Sequence, residues 1–169
     1  MNDRLVRVAT AAFLAGALGF AALPAAAQGG YAGASLGQFD DKNLDTTTGF
    51  KVFGGYQFNK NFAAEVSFIS ASWDVSGTTL DGTGVTLAGV AMAPVSDQVT
   101  VFATAGLLSW NAEFGPISDS GSNIFFGFGG LFNISRDLAI RAEYGSYKLG
   151  GDIVDTTITA LTVGAQFRF

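Results

Sequence analysis

The last fourteen residues read Thr-Thr-Ile-Thr-Ala-Leu-Thr-Val-Gly-Ala-Gln-Phe-Arg-Phe, residues 156–169. Successive side chains of an extended strand point to opposite sides, so Leu161, Val163, Ala165, Phe167 and Phe169 share one face and Ala160, Thr162, Gly164, Gln166 and Arg168 the other. The first face is apolar to its end; the second is small or polar. A helix would mix the two sets. A strand that is apolar outside and polar inside suits the wall of a barrel whose outer surface meets lipid and whose interior is a polar lumen.

Upstream, seven further segments have strand-like composition: 31–39, 49–58, 62–73, 83–94, 98–110, 122–134 and 138–147. Each has about the ~9 to 11 residues a tilted strand needs to cross a bilayer. Segment 138–147 alternates cleanly, with Leu138, Ile140, Ala142 and Tyr144 against Ala139, Arg141, Glu143 and Gly145; in 49–58, Val52, Tyr56 and Phe58 oppose Lys51, Phe53 and Gln57. Segments 83–94 and 122–134 are apolar or glycine on both faces, and their phase is not readable. Short turns at 59–61, 95–97 and 135–137 alternate with longer polar connections at 40–48, 74–82, 111–121 and 148–155. This alternation predicts an all-β fold: an eight-stranded antiparallel up-and-down transmembrane β-barrel with tight periplasmic turns and longer extracellular loops.

A leader precedes the barrel. Arg4 and Arg7 stand before an apolar stretch, residues 8–23, followed by Pro24 and Ala25-Ala26-Ala27. That order predicts a signal peptide over 1–27, cleaved after Ala27, and a mature barrel domain over 28–169.

Composition removes several functions. There is no Cys and no His, which excludes disulfides, thiol catalysis, His-dependent triads and the usual zinc ligand sets. The formal net charge of -5 and the absence of a basic stripe argue against a nucleic-acid partner. No cofactor or metal is expected, and the chain is not expected to be an enzyme.

Aromatic residues gather where the segments end. Tyr56, Phe58, Phe62 and Phe169 lie on the short-turn side, and Phe39, Trp73, Trp110 and Tyr147 on the long-loop side. Two such groups predict aromatic girdles at the two bilayer interfaces.

Several short sequences, in this order, carry a family resemblance: Tyr31-Ala-Gly-Ala-Ser-Leu-Gly, Gly54-Gly55-Tyr56-Gln57-Phe58-Asn59, Arg141-Ala-Glu143-Tyr144 and the terminal Phe169. Together they resemble the OmpA-like transmembrane barrels, the small outer-membrane barrels also called the porin family. The resemblance spans the whole mature chain and implies a bacterial outer-membrane location. It further implies that the last strand, with Phe167 and Phe169, is read by the barrel assembly machinery. Because the barrel takes up residues 28–169, no peptidoglycan-binding domain of the OmpA kind is expected. Barrels of that family carry a charged network across the lumen. Glu65 and Arg141 match two of its positions, whereas Ser35 and Phe132 stand where the family often has charges.

The candidate site is therefore a lumenal ionic group of Glu65, Arg141, Lys51 and Glu143, with Arg168 near the periplasmic rim. The third and seventh strands of an eight-stranded barrel face each other, so Glu65 and Arg141 could meet across a lumen only wide enough for side chains. Such a pair is either a structural plug or a gate. Around it, nine loop carboxylates, Asp40, Asp41, Asp45, Asp74, Asp81, Glu113, Asp119, Asp152 and Asp155, against Lys42 and Lys148, predict an acidic outer surface. The expected partners are outer-membrane lipid and lipopolysaccharide, the assembly machinery, and an extracellular ligand at the loops. Two functions compete: an envelope-stabilising or surface-interacting barrel, and a narrow or gated channel for ions or small solutes.

Overall fold

The computed structural model describes residues 29–41, 46–75, 78–114, 117–150 and 155–169; the leader read at 1–27 lies outside them. Eight strands follow one another: β1 (Gly30–Asp41), β2 (Thr47–Gln57), β3 (Phe62–Val75), β4 (Thr78–Pro94), β5 (Val99–Phe114), β6 (Ile117–Asn133), β7 (Leu138–Gly150) and β8 (Asp155–Arg168). Each pairs antiparallel with its sequence neighbours, and β1 pairs with β8, so the sheet closes into a barrel with no free edge. Among the described residues no helix is long and apolar enough to cross a membrane.

The alternation read from the sequence sets the two surfaces. On β8, Leu161, Val163 and Phe167 are exposed on the outside while Ala160, Thr162 and Gln166 are buried within. On β7, Ile140 and Tyr144 are exposed and Arg141 and Glu143 buried. Closure also settles the two unreadable strands. On β4, Val85 and Leu87 face out and Thr86, Ala88 and Val90 in; on β6, Ile124, Phe126, Phe128 and Phe132 face out and Phe125 and Leu131 in. Phe132 is thus an outward residue with no place in a lumenal network, half exposed at 50%.

The expected long loops are corrected. β3 runs to Val75 and pairs there with Thr78 of β4, and β5 runs to Phe114 and pairs with Ile117 of β6. Most of 74–82 and 111–121 is therefore strand, because the Thr, Ser and Asn residues of these stretches continue the ladder as readily as they would form a loop. Asp40, Asp41, Asp74, Asp81, Glu113, Asp119 and Asp155 accordingly stand on strands, while Asp45, Asp152 and Lys42 lie outside the described residues.

Inside, side chains pack in layers along the strands. Tyr31, Phe53, Ala63, Val90, Phe102, Leu131 and Ala139 form an apolar cluster near the short turns. At the other end, Phe39, Ile69, Trp73, Leu108, Trp110, Phe125 and Tyr147 form a second cluster. On β3, β5 and β7 the buried polar residues Glu65, Ser67, Thr104, Arg141 and Glu143 lie between the two. Glycine makes room for the rings. A Cβ at Gly55 would meet the Tyr31 ring and the Ala64 carbonyl, and one at Gly129 would meet the Phe102 ring; an aromatic ring lying across a strand glycine shields a bend in the wall that any larger residue would block.

The upper cluster overturns one expectation. Phe39, Trp73, Trp110 and Tyr147 are 2%, 5%, 5% and 5% exposed and point into the barrel, so they form a core layer and not an outer girdle. Apolar rings at this end gain more by packing on one another in the narrow interior, where Phe125 and Tyr147 stack 5.4 Å apart. At the short-turn end Phe58, Phe62 and Phe169 are exposed as expected.

Candidate functional site

Three strands deliver four charged side chains into the middle layer: Lys51 from β2, Glu65 from β3, and Arg141 and Glu143 from β7. Arg141 and Glu143 are two apart and so share the inner face of one strand. All four are 2–3% exposed. The Arg141 guanidinium meets the Glu65 carboxylate in a two-pronged contact, Nη1 to Oε2 at 2.7 Å and Nη2 to Oε1 at 3.2 Å. Its Nη2 and Nε also donate to Glu143 Oε2 at 2.6 and 3.1 Å. Lys51 Nζ donates to Glu143 Oε1 at 2.8 Å and lies 3.4 Å from Glu65 Oε1. Two cations and two carboxylates thus form one neutral ring, the arrangement in which buried charge is tolerated.

Further residues complete it. The Tyr31 hydroxyl donates to Glu65 Oε2 at 3.0 Å, and Gln166 Oε1 accepts from Arg141 Nη1 at 3.2 Å. The guanidinium carbon lies 4.4 Å from the ring centres of both Phe53 and Phe102, held between two π faces. Ser67 and Thr86 bond each other at 2.6 Å just above.

All four residues expected in the lumen are brought together, and Glu65 and Arg141 do meet. Ser35 is buried and faces the lumen, as read. Tyr31, Gln166 and Phe102 were missed as members of the cluster. Gln166 was legible, since it lies on the polar face of the last strand; Tyr31 opens β1 and gives no local sign that its hydroxyl reaches a carboxylate thirty-four residues away. Arg168 stays outside the cluster, bonding Asn133 near the short turns. Phe167 is 52% exposed, and Phe169 is 59% exposed, its amide donating to Gly30 O at 2.9 Å. Among the described residues no group of acidic side chains has the arrangement of a metal site.

A family model described as "Outer membrane protein beta-barrel domain" matches residues 10–169. The chain belongs to this outer-membrane β-barrel family. Its place is the bacterial outer membrane, and its exposed outer face of Leu, Ile, Val and Phe is the lipid-facing belt. No curated protein matches the chain. Among solved structures it resembles the Ail attachment invasion locus protein of Yersinia pestis in complex with the heparin analogue sucrose octasulfate, at 19% identity and TM-score 0.61, covering 84% of this chain and 97% of that one. Neisserial surface protein A is similar at 15% identity and TM-score 0.65, covering 87% and 100%. The outer-membrane protein OprG of Pseudomonas aeruginosa is similar at 8% identity and TM-score 0.60, covering 85% and 96%. These likenesses describe the barrel fold. In the family's orientation the short turns are periplasmic and the β1–β2, β3–β4, β5–β6 and β7–β8 hairpins extracellular.

Proposed function

We propose that this barrel is a non-conducting envelope protein, closed by its own side chains, whose biological contacts are made at the membrane belt and at the extracellular strand ends. The observation that carries this reading is the neutral ring of Lys51, Glu65, Arg141 and Glu143 lying between two apolar layers. A solute crossing the lumen would have to open both layers and separate the ring. Single-channel recording of the refolded barrel in planar bilayers tests this, with no discrete conductance steps as the expected result. Steady openings would favour the gated channel instead. That second reading draws on one feature: Lys51 lies within 4 Å of both carboxylates, so an exchange of partners needs only a small side-chain movement.

A partner at the extracellular side would be neutral or cationic. The strand ends there present Asp40, Asp81, Glu113 and Asp119 against Lys148, and a polysulfated ligand such as the heparin analogue seen with Ail would be repelled.

Export and assembly belong to the same reading. Cleavage after Ala27 leaves Gln28 as the first residue, and the assembly machinery recognises the last strand through Phe167 and Phe169. Intact-mass measurement on outer-membrane protein should give the mass of residues 28–169; an uncleaved chain there would refute the leader. Deletion of Phe169 should leave protease-sensitive chain in the periplasm, and normal insertion of that variant would remove the assigned role.

A further inference from the structure

Directly above the lipid-facing belt, the first polar side chain that each strand turns outward is a hydroxyl or an amide. They come as cross-strand pairs, one on each extracellular hairpin: Gln38 with Thr48, Ser70 with Thr83, Ser109 with Ser122, and Ser146 with Thr159. Five are exposed, and Ser70, Ser146 and Thr159 are half-buried. Two residues toward the periplasm on the same faces stand Leu36, Phe50, Leu107 and Leu161, 66%, 41%, 60% and 57% exposed, so this collar continues the membrane interface without a gap. Among the described residues its side chains hydrogen-bond to no protein group.

The level is the one at which an outer-membrane barrel ordinarily shows aromatic rings. Here Phe39, Trp110 and Tyr147 have turned inward, and strand alternation puts their polar neighbours outside, Gln38, Ser109 and Ser146, while the outward rings Phe50, Phe68 and Tyr144 stand one outward position lower, at the top of the belt. The collar is also uncharged. No Lys or Arg occurs anywhere in residues 61–135, which span β3 to β6, and the exposed charges next above it on that side are Asp81 and Glu113, directly paired across β4 and β5. A headgroup held through phosphate would meet carboxylates there and no cation. Hydroxyls and amides instead donate to and accept from sugar hydroxyls and acyl carbonyls.

We propose that this collar, along β3 to β6 where no cation lies near it, is an interface for neutral glycolipid headgroups of the outer leaflet, held by uncharged hydrogen bonds in place of a basic phosphate clamp. The test is lipid selection. The barrel purified from outer membranes is placed in vesicles holding equal amounts of phosphatidylcholine, phosphatidylglycerol and digalactosyldiacylglycerol, extracted in polymer discs, and its retained lipids are counted by mass spectrometry. Digalactosyldiacylglycerol should be enriched roughly threefold over phosphatidylglycerol, about what one membrane hydrogen bond of ~0.6 kcal/mol provides. The variant carrying Ser70→Ala, Thr83→Val, Ser109→Ala and Ser122→Ala should lose that enrichment. Should it fail to fold, Ser109→Ala with Ser122→Ala should lower it measurably. Equal retention of the lipids, preference for phosphatidylglycerol, or full enrichment in the variants would overturn the proposal.

Discussion

Replacing Glu65 by alanine is expected to lower the stability of the refolded barrel by ~3 to 5 kcal/mol, the cost of leaving a buried charge without its partner. The variant would hold Lys51 and Arg141 against Glu143 alone, and the Tyr31 hydroxyl would lose its acceptor. Arg141→Ala has the opposite sign of imbalance, with Glu65 and Glu143 left to Lys51. The double variant restores neutrality and keeps the Lys51 to Glu143 contact, so it should cost clearly less than the two single changes added together. Such non-additivity marks groups that interact directly. Urea unfolding of the four proteins in lipid vesicles measures it. Strict additivity would show that the contact contributes nothing in the membrane, and the closing role proposed for the ring would lose its support.

The second large effect concerns closure. Gly164 of β8 faces inward at the seam with β1, where a Cβ would overlap the Ala34 carbonyl oxygen and the Cα of Ser35. Both obstacles are backbone, which cannot rotate away as a side chain can. Gly164→Leu should therefore force the β1–β8 ladder apart and prevent the barrel from closing, beyond the ~1 to 3 kcal/mol typical of overpacking. Gly89 of β4 provides the comparison. It faces outward, and a Cβ there meets nothing within 4 Å, so Gly89→Leu should refold like the parent chain and add apolar surface to the belt. The fraction of each variant that migrates as folded barrel on an unheated gel is the readout. Equal folding of the two variants would mean that the seam is looser than this geometry requires.

Much of this was written locally in the chain. The polar alternation of Gln166, Gly164 and Thr162 against Phe167, Ala165 and Val163 named the fold and both surfaces of β8, because a period of two is a property of one strand and needs no partner. The same counting placed Lys51, Arg141 and Glu143 inside, and the family resemblance added Glu65. Counting would also have placed two rings correctly: steps of two from Arg141 reach Tyr147, and steps of two from Glu65 reach Trp73. Their position near the strand ends points instead to a lipid-facing girdle, and the phase overrides it. Phe132 was misplaced through family analogy, where its own strand offered no phase to count.

What the tertiary structure alone decided is of a different kind. The phase of β4 and β6 followed from their neighbours, since apolar or glycine residues on both faces carry no local preference and only the pleat shared with β3, β5 and β7 chooses between them. The height of β4 to β6 above the belt came from cross-strand pairing such as Val75 with Thr78 and Phe114 with Ile117, which Thr, Ser and Asn permit and do not announce. The company of Arg141 came from closure: Tyr31, Glu65, Phe53, Phe102 and Gln166 are distant in the chain and meet only when eight strands curl around one narrow lumen. Which face a residue takes is settled by the geometry of its own strand; which residues share the interior depends on register, stagger and closure, and those belong to the whole sheet.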